Sequence, residues 1–459
     1  MPESHGRKWL ALALLCTVQF MVVLDIAIVN VALPSIAAGL GFAPADLQWV
    51  VTAYVLCSGG LLLVGGRAAD LLGRRRMFLA GLALFTAASL ACGLAPSPGA
   101  LIAARAAQGV GAALLTPAAL SIITATYSGA QRATALGMWG AIASSGVAVG
   151  VLLGGVLTTA LSWHWVFLVN VPVGIAAAAL TPRLVPTTPA ARERGPLDLW
   201  GGLSAVAGMA ALVYALAGAA DHGWGAPRTL ALLAIAAALL AGFALIERSV
   251  ARPLLPPSAW RSGALVAGAG MMLAATGVMA GSFFLTSVYM QGTLGWSALG
   301  SGLAFLPFVA AIAVGVHATS HTVARVGSRV LVAAGLALAA GGALLLSLAS
   351  GQAGYGTGLL PGFVVLGLGL GLAFPAISIT AMSDVRHDSA GLASGLLSTA
   401  HEIGAALGVA ALSAIAAGPP VDYGAGVLAA AIAAGALTLL AAAVVPGVRP
   451  PAGSQAALH

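Results

Sequence analysis

Seventeen of the nineteen Lys and Arg residues of this 459-residue chain stand in alternate gaps between long apolar runs. No other feature restricts the fold as strongly, because a chain with its basic residues in every second gap is threaded back and forth through a bilayer. A span needs about 20 apolar residues to cross ~30 Å of hydrocarbon. Fourteen such runs occur, near 10–33, 46–64, 77–95, 100–122, 133–159, 164–181, 198–219, 228–247, 263–290, 300–320, 330–349, 355–382, 390–416 and 424–446. The basic residues fall before the first run (Arg7, Lys8), in the even gaps (Arg67, Arg74, Arg75, Arg76; Arg132; Arg183, Arg192, Arg194; Arg248, Arg252, Arg261; Arg325, Arg329; Arg386) and after the last run (Arg449). Among the odd gaps only one residue, Arg228, breaks the pattern. Both termini and every even gap are therefore expected in the cytoplasm, which requires an even number of spans.

Composition fits an all-α integral membrane protein: 60% of residues are apolar, 7% are charged, and the net charge of +7 reflects orientation. No basic run is interleaved with aromatic residues, so a nucleic-acid partner is not expected. Residues 1–33 open like a signal peptide but continue past any plausible cleavage point, and read as an uncleaved first span. Cys16, Cys57 and Cys92 lie inside runs without ligand-like spacing and read as small buried residues. No metal site and no cofactor is expected. A Gly-rich loop ending in Lys-Ser or Lys-Thr is absent, which argues against ATP drive, and GLGLGLAFP (Gly367–Pro375) lies in continuous apolar helix rather than after a strand. No nucleophile, base and orienting group converge, so an enzyme is not expected.

The chain is also a repeat. Shifted by 254 residues, GRRRMFLAGLAL (Gly73–Leu84) falls on GSRVLVAAGLAL (Gly327–Leu338). Shifted by 258, Gly109, Gly111, Pro117, Gly146 and Gly150 fall on Gly367, Gly369, Pro375, Gly404 and Gly408. Glycine and proline recur where helices touch or bend. The expected organisation is a six-helix bundle over 1–181, a linker with two inserted helices over 182–262, and a second six-helix bundle with a short tail over 263–459. Internal duplication of this kind is found in secondary transporters, with the site near mid-membrane.

Several segments resemble the major facilitator superfamily, and within it the fourteen-span drug:proton antiporter family. They are LDIAIVNVALP (Leu24–Pro34), QWVVTAYVL (Gln48–Leu56), GRAADLLGRRR (Gly66–Arg76), RAAQGVGAALLTPAAL (Arg105–Leu120), WHWVFLVNVPVG (Trp163–Gly174) and AGLASGLLSTAHEIGAALG (Ala390–Gly408). The resemblance covers essentially the whole chain. Two departures stand out: Ala68 and Leu71 replace the usual leucine and arginine of the cytoplasmic motif, and Val151 replaces the usual proline in GVAVGVLLGG (Gly146–Gly155). Gly146, Gly150, Gly154 and Gly155 of that segment retain the spacing for close helix contact. The resemblance implies a major-facilitator fold in a bacterial inner membrane, exchanging protons for a small-molecule substrate and working as a monomer. The expected cargo is lipophilic, cationic molecules included. Export of one endogenous metabolite or antibiotic, and passive facilitation, remain alternatives.

Ionisable residues inside spans are functional candidates by default, because charge at that depth is costly. Asp25, Arg105 and Glu402 qualify. Asp25 and Arg105 fall ~12 Å and ~8 Å from the outer ends of their spans, so they can share a depth. Asp25 reads as a proton-binding carboxylate and Arg105 as the cation that favours its charged form. The alternative is a static ion pair that fixes packing, extended by Gln108. Glu402, ~18 Å into its span, reads as a second proton site or a contact for a cationic substrate, with His401 titrating beside it. Its alternative is a packing carboxyl satisfied by Ser398 and Thr399.

The resemblance assigns Gly66, Asp70, Gly73, Arg74 and Arg75 to a cytoplasmic charge latch; the alternative is a solvated basic loop. Tyr54, Ser58, Gln108, Met279, Phe283 and His401 are candidates for the substrate pocket, since Met and aromatic surfaces adapt to varied cargo. Each could equally be core or lipid-facing.

Overall fold

In a computed structural model of the chain the described residues are 5–43, 46–127, 129–186, 198–250, 253, 262–349, 354–383, 385, 390–416 and 422–444. Arg192, Arg194, Arg252, Arg261, Arg386 and Arg449 lie outside them, as does most of the linker after Leu184.

The described elements are helical. They are α1 (His5–Leu40), α2 (Trp49–Leu72), α3 (Arg74–Gly93), α4 (Pro98–Thr126), α5 (Gly129–Ala160), the short α6 (Trp165–Leu168), α7 (Asn170–Leu184), α8 (Leu199–His222), α9 (Pro227–Ser249) and α10 (Gly263–Val288). Then follow α11 (Ala298–Val326), α12 (Ser328–Leu348), α13 (Leu360–Met382), α14 (Ala390–Ala416) and α15 (Tyr423–Val444). Wider π-type turns at Tyr289–Thr293 and Tyr355–Leu359 adjoin α10 and α13.

Helix is the obligatory choice here, because backbone groups in hydrocarbon must be satisfied within their own segment. Among the described residues twelve helices, counting α6 with α7 as Trp165–Leu184, are long and apolar enough to cross a membrane. The other two expected spans coincide with α5 and α8. Their described apolar stretches, Val149–Ala160 and Trp200–Leu216, fall short of span length. Fourteen is therefore not reached by this measure.

Contacts divide the chain into two units, one of residues 5–203 with Ser297–Gly302, the other of Ser204–Trp296 and residues from Leu303 onward. In the first, α2 and α3 pack on α4, and α1 packs on α5. Glycine sets these approaches. A methyl group at Gly109 would lie 2.3 Å from the Tyr54 carbonyl oxygen, and one at Gly81 would lie 2.8 Å from that of Gly111. Such gaps leave no room for a side chain, so helix backbones meet directly.

The second unit repeats the pattern at the positions the sequence shifts give. A methyl at Gly367 would meet the Phe308 carbonyl oxygen at 2.5 Å, and one at Gly335 that of Gly369 at 2.6 Å. On α14, methyl groups at Gly404 and Gly408 would each lie 2.1 Å from an α10 carbonyl oxygen, of Leu273 and Gly277 respectively. The α2–α3 corner turns at Gly73 with φ of 100°, and the α11–α12 corner turns at its repeat counterpart Gly327 with φ of 85°. Only glycine takes this left-handed geometry without strain.

At one end of the first unit Arg7 donates to the Arg183 carbonyl at 2.5 Å, Arg75 Nη1 to the Val185 carbonyl at 3.1 Å, and the Tyr127 hydroxyl to the Lys8 carbonyl. Residues from the N-terminus and the second, fourth and sixth gaps thus meet on one face.

Candidate functional site

Asp25 sits in the middle of α1 with no solvent exposure, and Arg105 on α4 is 1% exposed. Three side-chain donors converge on the carboxylate. Arg105 Nη1 donates to Oδ2 at 2.5 Å, while Gln108 Nε2 and Asn170 Nδ2 each donate to Oδ1 at 2.8 Å. The helices place these groups by simple periodicity. Arg105 and Gln108 are three residues apart and share a face of α4, so Arg105 Nη1 also donates to Gln108 Oε1 at 2.7 Å. Asn170 opens α7 and reaches across from the α6–α7 break.

An outer layer completes the cluster. Gln108 Nε2 donates to Ser89 Oγ at 2.7 Å, and the Cys92 thiol donates to Gln108 Oε1 at 3.7 Å. Arg105 Nε donates to the Val50 carbonyl at 2.8 Å. The guanidinium lies over the Tyr54 ring at 4.3 Å from its centroid and faces Phe167 at 5.8 Å. A desolvated cation over an aromatic face gains up to about 2 kcal/mol. Every element of the arrangement addresses charge, either by a hydrogen bond or by a ring face, and a buried ion pair survives only under such complete satisfaction.

The sequence brings Asp25, Arg105 and Gln108 forward, and they do meet. It misses Asn170, Ser89 and the ring of Phe167. Asn170 carries a readable signal, a lone amide inside an apolar run; Ser89 does not, since serine is common in such helices. Tyr54, expected in a substrate pocket, is buried beneath the guanidinium, and Ser58 is buried and donates to the Val55 carbonyl at 3.2 Å. Cys16 and Cys92 are buried and Cys57 is half-buried, all as free thiols.

The glycines of α5 frame the site. Methyl groups at Gly146, Gly150 and Gly154 would meet Val23, Ala27 and the Ile28 carbonyl oxygen at 3.2, 2.8 and 2.9 Å. They hold α5 against the stretch of α1 that carries Asp25. Gly155 turns elsewhere, 2.7 Å by the same measure from Leu299 Cα.

At the α2–α3 corner Asp70 pairs with Arg74 at 3.7 Å, both partly exposed. Arg75 is engaged with the Val185 carbonyl instead. Gly66 faces Pro117, 3.6 Å from a methyl built there.

In the second unit Glu402 is half-buried on α14. Beside it, His401 Nδ1 lies 3.0 Å from Thr276 Oγ1 and its ring meets Phe374 edge-on at 5.9 Å. The Thr399 hydroxyl is buried without a hydrogen-bond partner among the described residues, so it does not satisfy Glu402. Met279 and Phe283 are half-buried on α10, and Phe283 stacks on Phe305 at 4.0 Å. Among the described residues no group of three His, Cys, Asp or Glu side chains is placed to hold a metal.

Comparison with known proteins places this architecture. A crystal structure of the POT family transporter PepTSo superposes with a TM-score of 0.71 over 96% of this chain and 98% of that one, at 14% identity, a likeness of fold. The puromycin resistance protein of Streptomyces alboniger is 42% identical over 91% of this chain and 83% of its own length. The cephamycin export protein of Amycolatopsis lactamdurans is 43% identical over 88% and 84%. A multidrug resistance protein of Mycobacterium tuberculosis is 36% identical over 86% and 73%. The profile of the Major Facilitator Superfamily matches residues 15–409. With helices that pair as repeats, a charged cluster buried among them and this extent of similarity, the chain belongs to the major facilitator superfamily of membrane transporters.

Proposed function

We propose that the chain is a proton-coupled antiporter that exports lipophilic small molecules, cationic ones included, across a bacterial plasma membrane. In this reading fourteen spans form two six-helix bundles, over 1–181 and 263–459, with the linker and two inserted helices between them. Both termini face the cytoplasm and the monomer is the working unit. The observation that carries the reading is the bonding of Asp25, whose buried carboxylate accepts from Arg105, Gln108 and Asn170. The relatives named for drug resistance and export supply the cargo class.

The coupling follows from donor and acceptor arithmetic. The polar neighbours within bonding distance of the carboxylate are all N–H donors, so a proton on Asp25 would find no acceptor in the present arrangement. Holding it requires Gln108 or Asn170 to present its carbonyl, or Asp25 to leave Arg105. Either change breaks a buried ion pair, a disruption of about 3–5 kcal/mol. Proton entry supplies about 2.3 kcal/mol per charge per 100 mV, with the pH gradient in addition. Protonation thereby drives a discrete rearrangement and release of cargo outward, and deprotonation toward the cytoplasm resets it. Glu402 acts as a second proton site or as the contact for a cationic cargo, and Asp70 with Arg74 and Arg75 forms the cytoplasmic latch.

Efflux of a lipophilic cationic dye from proteoliposomes of known orientation, under an imposed pH gradient, tests the reading. Gradient-dependent transport by the wild type, lost in Asp25→Asn or Glu402→Gln, is the expected result. Dye movement that ignores the gradient, from folded protein, would sink it in favour of passive facilitation.

A second reading is favoured by the names of several relatives, which specify one compound each: puromycin, cephamycin, lincomycin, tetracenomycin C. On that reading this chain exports a single antibiotic. A panel of antibiotics of different scaffolds in the same assay separates the two, a single transported member favouring the narrow exporter.

A further inference from the structure

Two of the eight histidines of the chain stand one helical turn apart on α11, in the segment HATSHT (His317–Thr322). Residues four apart share a helix face, so both imidazoles lie on the same side. Both are exposed, and their ring centroids are 4.3 Å apart with the planes tilted by 44°. At 29 residues α11 is ~43 Å long against ~30 Å of hydrocarbon, so its ends reach the interfacial region. His321 lies ~8 Å from the end at Val326. With His317 and Ser320 it makes an exposed polar patch on a largely apolar helix. Ionisable side chains at such a depth face water or protein rather than lipid, and these two have no protein over them among the described residues.

Its neighbours fix the hydrogen of His321. Nδ1 lies 2.9 Å from the His317 carbonyl oxygen, which can only accept, so Nδ1 carries the hydrogen and donates it. The Ser320 hydroxyl donates to the same carbonyl at 2.7 Å and lies 3.0 Å from Nδ1. In the neutral ring this leaves the lone pair on Nε2. A ring N–H held by a backbone carbonyl is the usual support of a metal-binding histidine, since it sets the tautomer and raises the basicity of the other nitrogen.

We propose that His317 and His321 chelate one divalent transition-metal ion, Cu2+ the most tightly, with water completing its coordination. An ion about 2.0 Å from each ligand nitrogen lies ~3.2 Å from each ring centroid. Two rings bound at a right angle then have centroids ~4.5 Å apart, and at the tetrahedral angle ~5.2 Å. The separation of 4.3 Å matches the right-angled arrangement. Tetragonal sites with nitrogen and oxygen ligands are those of Cu2+ and Ni2+, whereas Zn2+ favours the tetrahedron, and at a given site Cu2+ binds more tightly than either. Among the described residues no third His, Cys, Asp or Glu completes a metal-holding group, which leaves the other positions to water. Arg325, exposed one turn beyond His321, repels the ion, so the site is weaker than a closed cage of four protein ligands. Both ligands belong to one helix, so the site requires neither the transport reading nor any particular placement of the two units.

The test uses full-length protein without a histidine tag, in nanodiscs, titrated calorimetrically with Cu2+, Ni2+ and Zn2+ salts, with empty nanodiscs subtracted. The wild type is expected to bind one Cu2+ that the double variant His317→Ala, His321→Ala does not, and to hold it more tightly than Ni2+ or Zn2+. Electron paramagnetic resonance of that Cu2+ is expected to show an axial spectrum coupled to two nitrogens. Each single variant is expected to weaken Cu2+ binding by at least about tenfold and to leave one nitrogen. Should alanine at either position impair folding, His317→Gln and His321→Gln keep a polar surface without the ligand nitrogen and make the same comparison.

Identical Cu2+ titrations of the wild type and the double variant overturn the proposal, since the ion would then be held elsewhere, as would the absence of saturable binding. Zn2+ bound more tightly than Cu2+ also overturns it, because the right-angled geometry would not be the one in use.

Discussion

Two equivalent places in the repeat hold opposite chemistry. In the first unit Asp25, Tyr54, Ser89, Arg105 and Gln108 form a closed polar cluster. The shifts that align the glycine contacts carry the last four of these positions to Phe308, Ala343, Phe363 and Leu366, all buried in the second unit, and carry Asp25 to Met279 or Phe283, neither of them acidic. One half therefore stores charge inside helices α1, α2, α3, α4 and α7, and the other stores aromatic surface inside α10, α11, α12 and α13. The backbone seams around the two are alike, so the difference resides in side chains. A carboxylate demanded only by the fold would be expected in both halves, and its confinement to one is the strongest internal argument that it works.

The sharpest challenge to this contrast is neutralisation. Asp25→Asn is expected to abolish gradient-driven efflux and to destabilise the protein by about 3–5 kcal/mol, because Arg105 keeps its charge and loses its counter-ion. Met279→Ala, at the position to which the shift of 254 carries Asp25, is expected to leave the gradient dependence intact. Efflux assays and denaturant titration in detergent check both. Retained coupling in Asp25→Asn would make the ion pair structural.

Next in size is the aromatic side. Phe363→Ala is expected to lower stability by about 3–5 kcal/mol through the cavity it opens, while the pH-gradient dependence of residual efflux stays as in the wild type. A changed gradient dependence would join the two regions into one device and end the contrast.

The seams themselves give a smaller and more symmetrical effect. Gly408→Ala and Gly150→Ala both overpack a helix contact, at about 1–3 kcal/mol each. The former should be the worse, since its methyl would lie 2.1 Å from a carbonyl oxygen, whereas that of Gly150 meets the Ala27 methyl at 2.8 Å and the Leu24 carbonyl oxygen at 3.0 Å. Thermal unfolding of the two variants measures the difference. Smallest of all, Thr276→Val removes the partner of His401 Nδ1 and is expected to reduce stability by about 1 kcal/mol; the same unfolding assay reads it.

Much of this was legible in the sequence, for identifiable reasons. The paired shifts of 254 and 258 locate glycine contacts because close helix approach tolerates no other residue, so Gly81 with Gly111 and Gly335 with Gly369 announce themselves. Asp25 and Arg105 are visible because charge is so rare within the apolar runs. Ser89 is harder to read, being a small hydroxyl common in such helices whose importance depends on where distant helices bring it. The fate of Tyr54 was hidden for the same reason, since a ring facing a guanidinium and a ring facing cargo look identical in one dimension. Span counting is matched by twelve helices among the described residues, while α5 and α8, helices of 32 and 24 residues, offer described apolar stretches only over Val149–Ala160 and Trp200–Leu216.

The glycine seams have a further consequence for descent. A contact made of backbone against backbone keeps no memory of the side chains beside it, so after a duplication the interior of either copy can drift without disturbing how its helices assemble. Arginine can become phenylalanine, and glutamine leucine, while Gly109 on Tyr54 and Gly367 on Phe308 remain the same joint. Such a scaffold separates inheritance of shape from inheritance of chemistry, and lets one gene carry a charged interior and an aromatic one cast from a single mould.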